Sequence, residues 1–199
     1  MIKVSVVIPT YGRADSLRDC VQALAASDFP RDEFEVIIVD DGSPKLVGPE
    51  LAALRDRLDP VIIRQENAGA AAARNLGARH ARGRYLAFTD DDCLPGPGWL
   101  RALVLRLESA PDIVVGGEIT NAASDNTYSR VTHLLAHKVY ARYDSDPSSI
   151  RFFGSANLAI AKDQFEKWGG FDAGLRPAYE DREFCERLFR HGIRFVRAL

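Results

Sequence analysis

The chain has 199 residues, of which 46% are hydrophobic and 27% charged, and its formal net charge at pH 7 is -2. This length and composition predict one globular domain with a single core. Basic residues are interleaved with acidic ones, so the chain lacks the basic patch that proteins use to bind nucleic acid. Its apolar runs are far shorter than the roughly 20 residues needed to cross a bilayer, and no signal peptide precedes the first predicted strand, so we expect a cytoplasmic protein.

Short apolar runs alternate with amphipathic helical segments through the first half of the chain. Strands are predicted over 4–8, 36–39, 61–64 and 84–89, and helices over 15–26, 49–58, 69–81 and 99–108. The strands read as apolar on both faces, which is typical of a parallel sheet covered by helices on either side. The sequence therefore predicts an α/β fold.

Beyond residue 110 the pattern is less regular. A strand over 113–115 is followed by a polar region, 121–149, with a modest helical stretch at 133–143, and we expect this region to be variable and to face the substrate. A strand is predicted over 156–160, a helix over 162–168 that two glycines end, and a last helix over 181–191.

Acidic residues follow two of the predicted strands. Asp40 and Asp41 end the second strand, and the run from Asp90 through Asp91 to Asp92 ends the fourth. Ligands of parallel sheets bind at the carboxyl ends of the strands, so five carboxylates are expected at one edge. Such crowding is costly unless a cation offsets it, which favours Mg²⁺ or Mn²⁺. The alternative is that these aspartates form turns or cap helices.

The phosphate-binding loops of other α/β proteins are missing. The first strand runs into PTYGR, residues 9–13, which is neither G-x-G-x-x-G nor G-x-x-x-x-G-K-[ST]. This argues against a dinucleotide-dependent dehydrogenase and against a P-loop NTPase. A bound diphosphate would have to be neutralised by a metal and by nearby cations such as Arg74.

Seven segments, in this order, carry a family resemblance: VSVVIPTYGR, EVIIVDDGS, NAGAAAARNLG, GRYLAFTDDDCLP, FFGSANLAI, WGGFD and EDREFCERL. Together they resemble the family 2 inverting glycosyltransferases of the GT-A fold. The resemblance implies a Rossmann-like, mostly parallel central sheet flanked by helices, in a single domain over 1–199. Residues 1–110 would form its nucleotide-binding half and residues 111–199 its acceptor-side half.

The resemblance also implies which residues bind the donor. Tyr11 would stack on the base, Asp41 would accept a hydrogen bond from it with support from Asp40, Asp90 would approach the ribose, and Asp92 would ligate Mn²⁺ or Mg²⁺. The full set implied for the nucleotide sugar is Pro9, Tyr11, Arg13, Asp40, Asp41, Arg74, Asp90 and Asp91. Whether Asp91 contacts the ligand is left open.

For catalysis, the resemblance places the general base at Asp181, with Glu180, Gly154 and Ser155 facing the donor sugar and the acceptor. A base opposite the leaving group would deprotonate the acceptor hydroxyl, and a single displacement would invert the anomeric centre. The implied donor is a UDP- or dTDP-linked sugar, and the acceptor a glycan, a lipid-linked compound or a small molecule. The alternative for the Glu180-Asp181 pair is helix capping alone.

Family members usually continue beyond the Glu-Asp helix with a further strand and often a histidine that completes the metal or diphosphate shell. This chain ends at Leu199, which predicts a truncated acceptor-side half or a shell supplied by other residues. The alternative function is therefore a nucleotide-sugar-binding module without turnover. The sequence predicts no transmembrane segment and is compatible with peripheral membrane association.

Overall fold

The computed structural model describes residues 1–120, 150–175 and 179–198. Strands in chain order are β1 (Val4–Thr10), β2 (Phe34–Asp40), β3 (Val61–Arg64), β4 (Tyr85–Phe88), β5 (Ile113–Gly116), β6 (Leu158–Ala161) and β7 (Arg194–Arg197). Helices are α1 (Ala14–Ala25), α2 (Ala70–His80), α3 (Trp99–Ser109), α4 (Lys162–Lys167) and α5 (Glu180–Arg190). Two 3₁₀ helices lie at Pro49–Leu54 and Ser155–Asn157.

The described strands form one mostly parallel sheet in the order β3-β2-β1-β4-β6-β5-β7. Strands β1 to β4 are mutually parallel, whereas β6 runs antiparallel to both β4 and β5. The register pairs Thr10 with Asp40 at the carboxyl ends of β1 and β2. The residues that follow β1, β2 and β4 therefore meet at one edge of the sheet, as the sequence predicts.

Helices cover both faces of this sheet, because alternate strand residues point to opposite sides. On one face, Val6 and Ile8 pack with apolar residues of α1 and α3. On the other, Val7 packs with the small residues of α2 and the aromatic residues of α4 and α5. The predicted three-layer α/β architecture is confirmed.

Several local predictions are corrected by the structure. The segment predicted as a helix over 49–58 forms only a 3₁₀ helix, Pro49–Leu54. Strand β3 is exposed rather than buried on both faces, because it lies at the edge of the sheet. A strand that the sequence did not predict also follows the last helix: β7 pairs in parallel with β5. The helical stretch predicted at 133–143 lies outside the described residues.

None of the helices within the described parts of the chain combines the length and the apolar character that crossing a membrane requires.

Candidate active site

Asp91, the middle residue of the acidic run, is fully buried and ties two strand ends together. Its Oδ2 accepts a hydrogen bond from the Thr10 hydroxyl at 2.6 Å, and its Oδ1 lies 2.8 Å from Arg13 Nη2. Burial raises the pKa of Asp91, while the Thr10 hydrogen bond and the Arg13 charge act in the opposite direction. This carboxylate joins the end of β4 to the end of β1 and is not accessible to a ligand.

Asp92, by contrast, is a half-exposed carboxylate at the mouth of the site. Its side chain is 53% exposed, and its Oδ2 accepts a hydrogen bond from Arg13 Nη1 at 2.7 Å. The Cys93 thiol lies 4.0 Å from Oδ1. Arg13 thus spans Asp91 and Asp92, holding one carboxylate in the interior and the other at the surface.

Asp90 is joined to the last helix through Arg74. The guanidinium donates from Nη2 to Asp90 Oδ1 at 2.6 Å and from Nη1 to Glu180 Oε1 at 2.9 Å. Arg74 is only 4% exposed, Glu180 12% and Asp90 30%. Exposure of the carboxylate thus decreases from Asp92 through Asp90 to Glu180.

Asp181, the predicted base, lies in the first turn of α5 and is partly buried. Its Oδ2 accepts from the Ser155 amide at 3.3 Å, and its Oδ1 from the Arg182 amide at 2.7 Å. Burial raises the pKa of Asp181; the Ser155 hydrogen bond opposes that rise, and the neighbouring Glu180 charge adds to it. A carboxylate with a raised pKa is a stronger proton acceptor than an ordinary aspartate once it is ionised.

Asp40 at the end of β2 organises the adjoining loop. Its Oδ1 accepts from the Ser43 amide at 2.8 Å, and its Oδ2 from Arg64 Nη1 at 2.5 Å. The same arginine donates to the Ser43 carbonyl at 2.7 Å. The carboxylate is almost fully buried, so the structure places Asp40 beneath the site rather than at its surface.

Asp41 anchors the loop that leads into α2. Its Oδ1 accepts from Gln65 Nε2 at 2.7 Å and from the Ala68 amide at 2.8 Å, and its Oδ2 accepts from the Gly69 amide at 2.8 Å. Because a carboxylate has about four lone-pair sites, these three donors leave room for one more. Asp41 is buried and holds the start of the helix that carries Arg74.

The charge crowding inferred from the sequence is offset in part within the protein. Arg64 pairs with Asp40, Arg13 with Asp91 and Asp92, and Arg74 with Asp90 and Glu180. These three guanidinium groups face more carboxylates than they can neutralise, so the edge keeps a net negative charge.

Across the described ranges, no three His, Cys, Asp or Glu side chains are grouped closely enough to hold a metal by themselves. Asp92 nevertheless fits a Mg²⁺ or Mn²⁺ ion, since such ions take only one or two protein carboxylates when a diphosphate supplies further oxygens. The half-exposed Asp92 carboxylate can supply the one protein ligand that a metal site shared with a diphosphate needs.

The remaining predicted residues fall at the same edge of the sheet. Pro9 is buried within β1, and Tyr11 follows that strand with 51% of its surface exposed. Gly154 and Ser155 begin the 3₁₀ helix before β6, where both are buried. Tyr179, which precedes α5, has a φ of 90° and is 66% exposed.

Sequence reasoning missed the residues that hold the acids in place. Thr10, Arg64 and Gln65 each bond to one of the predicted aspartates. Arg64 ends the third predicted strand and Gln65 follows it, at the same edge of the sheet, so the parallel register was a signal that could have identified them. The bond from Trp99 Nε1 to Asn157 Oδ1, 2.9 Å, joins residues 58 positions apart and had no local signal.

The fold is the GT-A fold. The mannosyltransferase PcManGT from Pyrobaculum calidifontis, solved with GDP-Man and Mn²⁺, superposes with a TM-score of 0.78 at 22% identity, covering 98% of this chain and 54% of that one. TarS from S. aureus, solved with UDP-GlcNAc, also gives 0.78 at 19% identity, covering 98% and 58%. These likenesses establish the fold.

The chain belongs to glycosyl transferase family 2, whose sequence profile matches residues 5–180. Validoxylamine A glucosyltransferase of Streptomyces hygroscopicus subsp. jinggangensis is 30% identical over 219 residues, which cover 96% of this chain and 52% of that protein. Glycosyltransferase AglE of Haloferax volcanii is 34% identical over 119 residues, covering 58% and 39%. This chain thus spans about half, or less, of the length of these relatives. The family predicted from the sequence is confirmed.

Proposed function

We propose that this chain is a catalytic domain that transfers a sugar, with inversion, from a UDP- or dTDP-linked donor to a hydroxyl acceptor. The observation that carries the proposal is the placement of Asp181: a partly buried carboxylate with a raised pKa, joined through Glu180 and Arg74 to Asp90. The solved structures of PcManGT with GDP-Man and of TarS with UDP-GlcNAc support a nucleotide-sugar donor.

Each residue of this edge has a distinct part in the proposed reaction. Tyr11 stacks on the base, Asp41 offers its remaining lone pair to it, and Asp90 contacts the ribose. A divalent ion, Mn²⁺ or Mg²⁺, held by Asp92 and the donor diphosphate would supply charge stabilisation for the departing nucleoside diphosphate. That Mn²⁺ accompanies GDP-Man in PcManGT supports this assignment.

Asp181 takes the proton of the acceptor hydroxyl as that oxygen attacks the anomeric carbon, and the carbon–oxygen bond to the diphosphate breaks on the opposite face. The Ser155 amide orients the base through Asp181 Oδ2. Because burial raises the pKa of Asp181, the rate of transfer is expected to fall with decreasing pH at a value above the ordinary 3.8.

The first test compares Asp181→Asn with Asp163→Asn. Both aspartates lie in the first turn of a helix and accept a hydrogen bond from the following backbone amide, at 2.7 and 2.8 Å. Asp181→Asn is expected to bind UDP and Mn²⁺ as the wild type does but to lose transfer by about 10²–10⁴-fold. Asp163→Asn should keep both. Binding of UDP by the wild type, without transfer from any donor, would instead identify a nucleotide-sugar-binding module.

The second test addresses the metal assignment. Asp92→Ala should abolish the Mn²⁺-dependent part of UDP binding in calorimetry. Asp19→Ala is the matched control, because Asp19 is likewise about half-exposed and paired with an arginine. Wild-type Mn²⁺ dependence in Asp92→Ala would refute the role given to Asp92.

A further inference from the structure

Arg74 connects two parts of the chain that the proposed reaction assigns to different partners. It lies in α2 and pairs on one side with Asp90, which follows β4, and on the other with Glu180, the first residue of α5. The Arg74–Glu180 contact joins residues 106 positions apart. Asp90 belongs to the donor side, and Glu180 directly precedes the proposed base.

The guanidinium is held in place from several directions. Its Cζ lies 5.8 Å from the centroid of the Phe171 ring. The next residue, Asn75, donates to the Phe171 carbonyl at 2.7 Å and accepts from the Phe171 amide at 3.0 Å, which fixes this part of α2 against the segment after α4. With a 4% exposed side chain, Arg74 has little room to turn towards a ligand.

Arg74 gives one N–H bond to each carboxylate, and its buried Nε has no hydrogen-bond partner among the described residues. Burial is what separates the guanidinium from a nucleotide, because with a 4% exposed side chain it would have to move away from its carboxylates to reach one. Glu180 is only 12% exposed, so losing its partner would leave a poorly solvated charge unpaired, which is costly. Arg74 therefore acts on the ligand through the groups it holds. Glu180 directly precedes Asp181 in the first turn of α5, so a shift of the Glu180 backbone also moves the proposed base.

We propose that Arg74 is a positioning residue that couples the donor side of the site to the base: it holds Asp90 and Glu180 together, so that the placement of Asp181 depends on the state of Asp90. The proposal rests on the proposed function for what Asp90 and Asp181 do. It departs from the sequence prediction for Arg74, which made it a nucleotide ligand.

The test uses Arg74→Lys, Glu180→Gln and the double variant. Lysine keeps the charge but lacks the two-armed geometry that reaches both carboxylates. Glu180→Gln weakens only the arm towards α5, so its affinity for UDP and Mn²⁺ should stay within about twofold of the wild type. Its kcat should fall by about 10- to 100-fold, the scale on which a small misplacement of a catalytic group reduces rate.

Arg74→Lys should lower both kcat and UDP affinity, because it disturbs both arms. The double variant should then be no slower than Arg74→Lys alone, since residues that act as a unit are not additive. Multiplicative losses in the double variant, or a wild-type kcat in Glu180→Gln, would overturn the coupling.

Arg187→Lys is the matched control for loss of helix stability. Arg187 also joins α5 to the rest of the fold, pairing with Glu183 at 2.8 Å and donating to the Gly170 carbonyl at 2.7 Å, but it contacts neither Asp90 nor Asp181. It should lower the urea midpoint of unfolding and leave kcat within about twofold of the wild type. A loss of kcat as large as that of Arg74→Lys would show that general destabilisation of α5 explains the effect.

Hydrogen exchange gives a readout that does not depend on turnover. Adding UDP and Mn²⁺ should increase protection of the amides of residues 180–184 in the wild type and not in Glu180→Gln. If the wild type shows no such increase while UDP is bound, the coupling is refuted whether or not transfer occurs. If protection increases but no donor supports transfer, the proposed function fails and the coupling stands.

Discussion

Asp41→Asn tests whether the Asp41 carboxylate is a structural anchor before it is a nucleotide ligand. The substitution keeps the shape of the side chain but replaces one acceptor oxygen with an NH₂ donor. In the best orientation, the remaining oxygen still accepts from Gln65 and Ala68, as Oδ1 does now. The new NH₂ group then faces the Gly69 amide, which loses its acceptor.

The size of the effect follows from this count of donors. Hydrogen bonds to a charged group are worth about 1.5–3 kcal/mol and those between neutral groups about 0.5–1.5 kcal/mol, so each of the two retained bonds weakens by about 1 kcal/mol. The unpaired Gly69 amide adds about 1–3 kcal/mol, of which water recovers a part because Gly69 is only half-buried. Asp41→Asn should therefore lower the free energy of unfolding by about 2–4 kcal/mol.

The assay is urea unfolding without nucleotide or metal, so that no ligand contact contributes. Asp172→Asn is the matched control: Asp172 is exposed and accepts from the Gly174 amide at 2.8 Å, and its loss should cost less than about 0.5 kcal/mol. If Asp41→Asn unfolds within that margin of the wild type, the anchoring role is refuted. If it is destabilised as expected, weaker UDP binding by this variant does not by itself show contact with the base.

Three further outcomes follow from the structure. Because burial raises the pKa of Asp181 above 3.8, the folded state binds the proton of this carboxyl group more tightly than the unfolded state does. The free energy of unfolding of the wild type minus that of Asp181→Asn should therefore fall as pH rises from 3.8 through the folded pKa. A difference that stays flat or rises would contradict this. Tyr179→Gly should raise the midpoint of thermal unfolding and stabilise the fold by up to about 1 kcal/mol, because a left-handed φ of 90° strains a tyrosine. A lower midpoint would mean that the tyrosine ring stabilises the fold. Gly77→Ala should lower the free energy of unfolding by about 1 kcal/mol net, because the new Cβ would lie 2.4 Å from Val7 Cγ1 and this clash outweighs the gain in helix propensity. Gly98→Ala is the control, since no atom lies within 4 Å of its Cβ. Equal stability of the two variants in urea would refute the close packing of Gly77.

Apolar periodicity was sufficient to predict the layered α/β fold, because strands buried on both faces have few alternative interpretations. Periodicity misjudged the burial of β3, although it predicted the bounds of that strand, and it did not predict β7. β3 lies at the sheet edge with Val61 and Ile62 exposed, a position that depends on strand order rather than on composition. β7 has arginines at both ends, Arg194 and Arg197, and forms a strand because β5 offers it a parallel partner.

The sequence pointed to the acidic residues of the site and to Arg13 and Arg74, but not to the ion pairs that join them. Local sequence places Asp90 and Asp92 after a strand, whereas Arg74 lies on a helix 16 residues before Asp90 and 106 before Glu180. Only the packing of α2 between β1 and the segment after α4 brings these charges together. Arg64 was not identified, because its pairing with Asp40 depends on the register of β2 and β3.

The acidic run itself shows how burial divides neighbouring residues between structure and chemistry. Asp90, Asp91 and Asp92 lie beyond β4, which ends at Phe88, in a turn closed by a bond from the Cys93 amide to the Asp90 carbonyl at 3.1 Å. Asp91 points inward to Thr10 with no exposed surface, whereas Asp92 remains 53% exposed. The buried Asp91 carboxylate joins the ends of β1 and β4 through Thr10, and this keeps the outer aspartates at the edge where a donor diphosphate is proposed to bind.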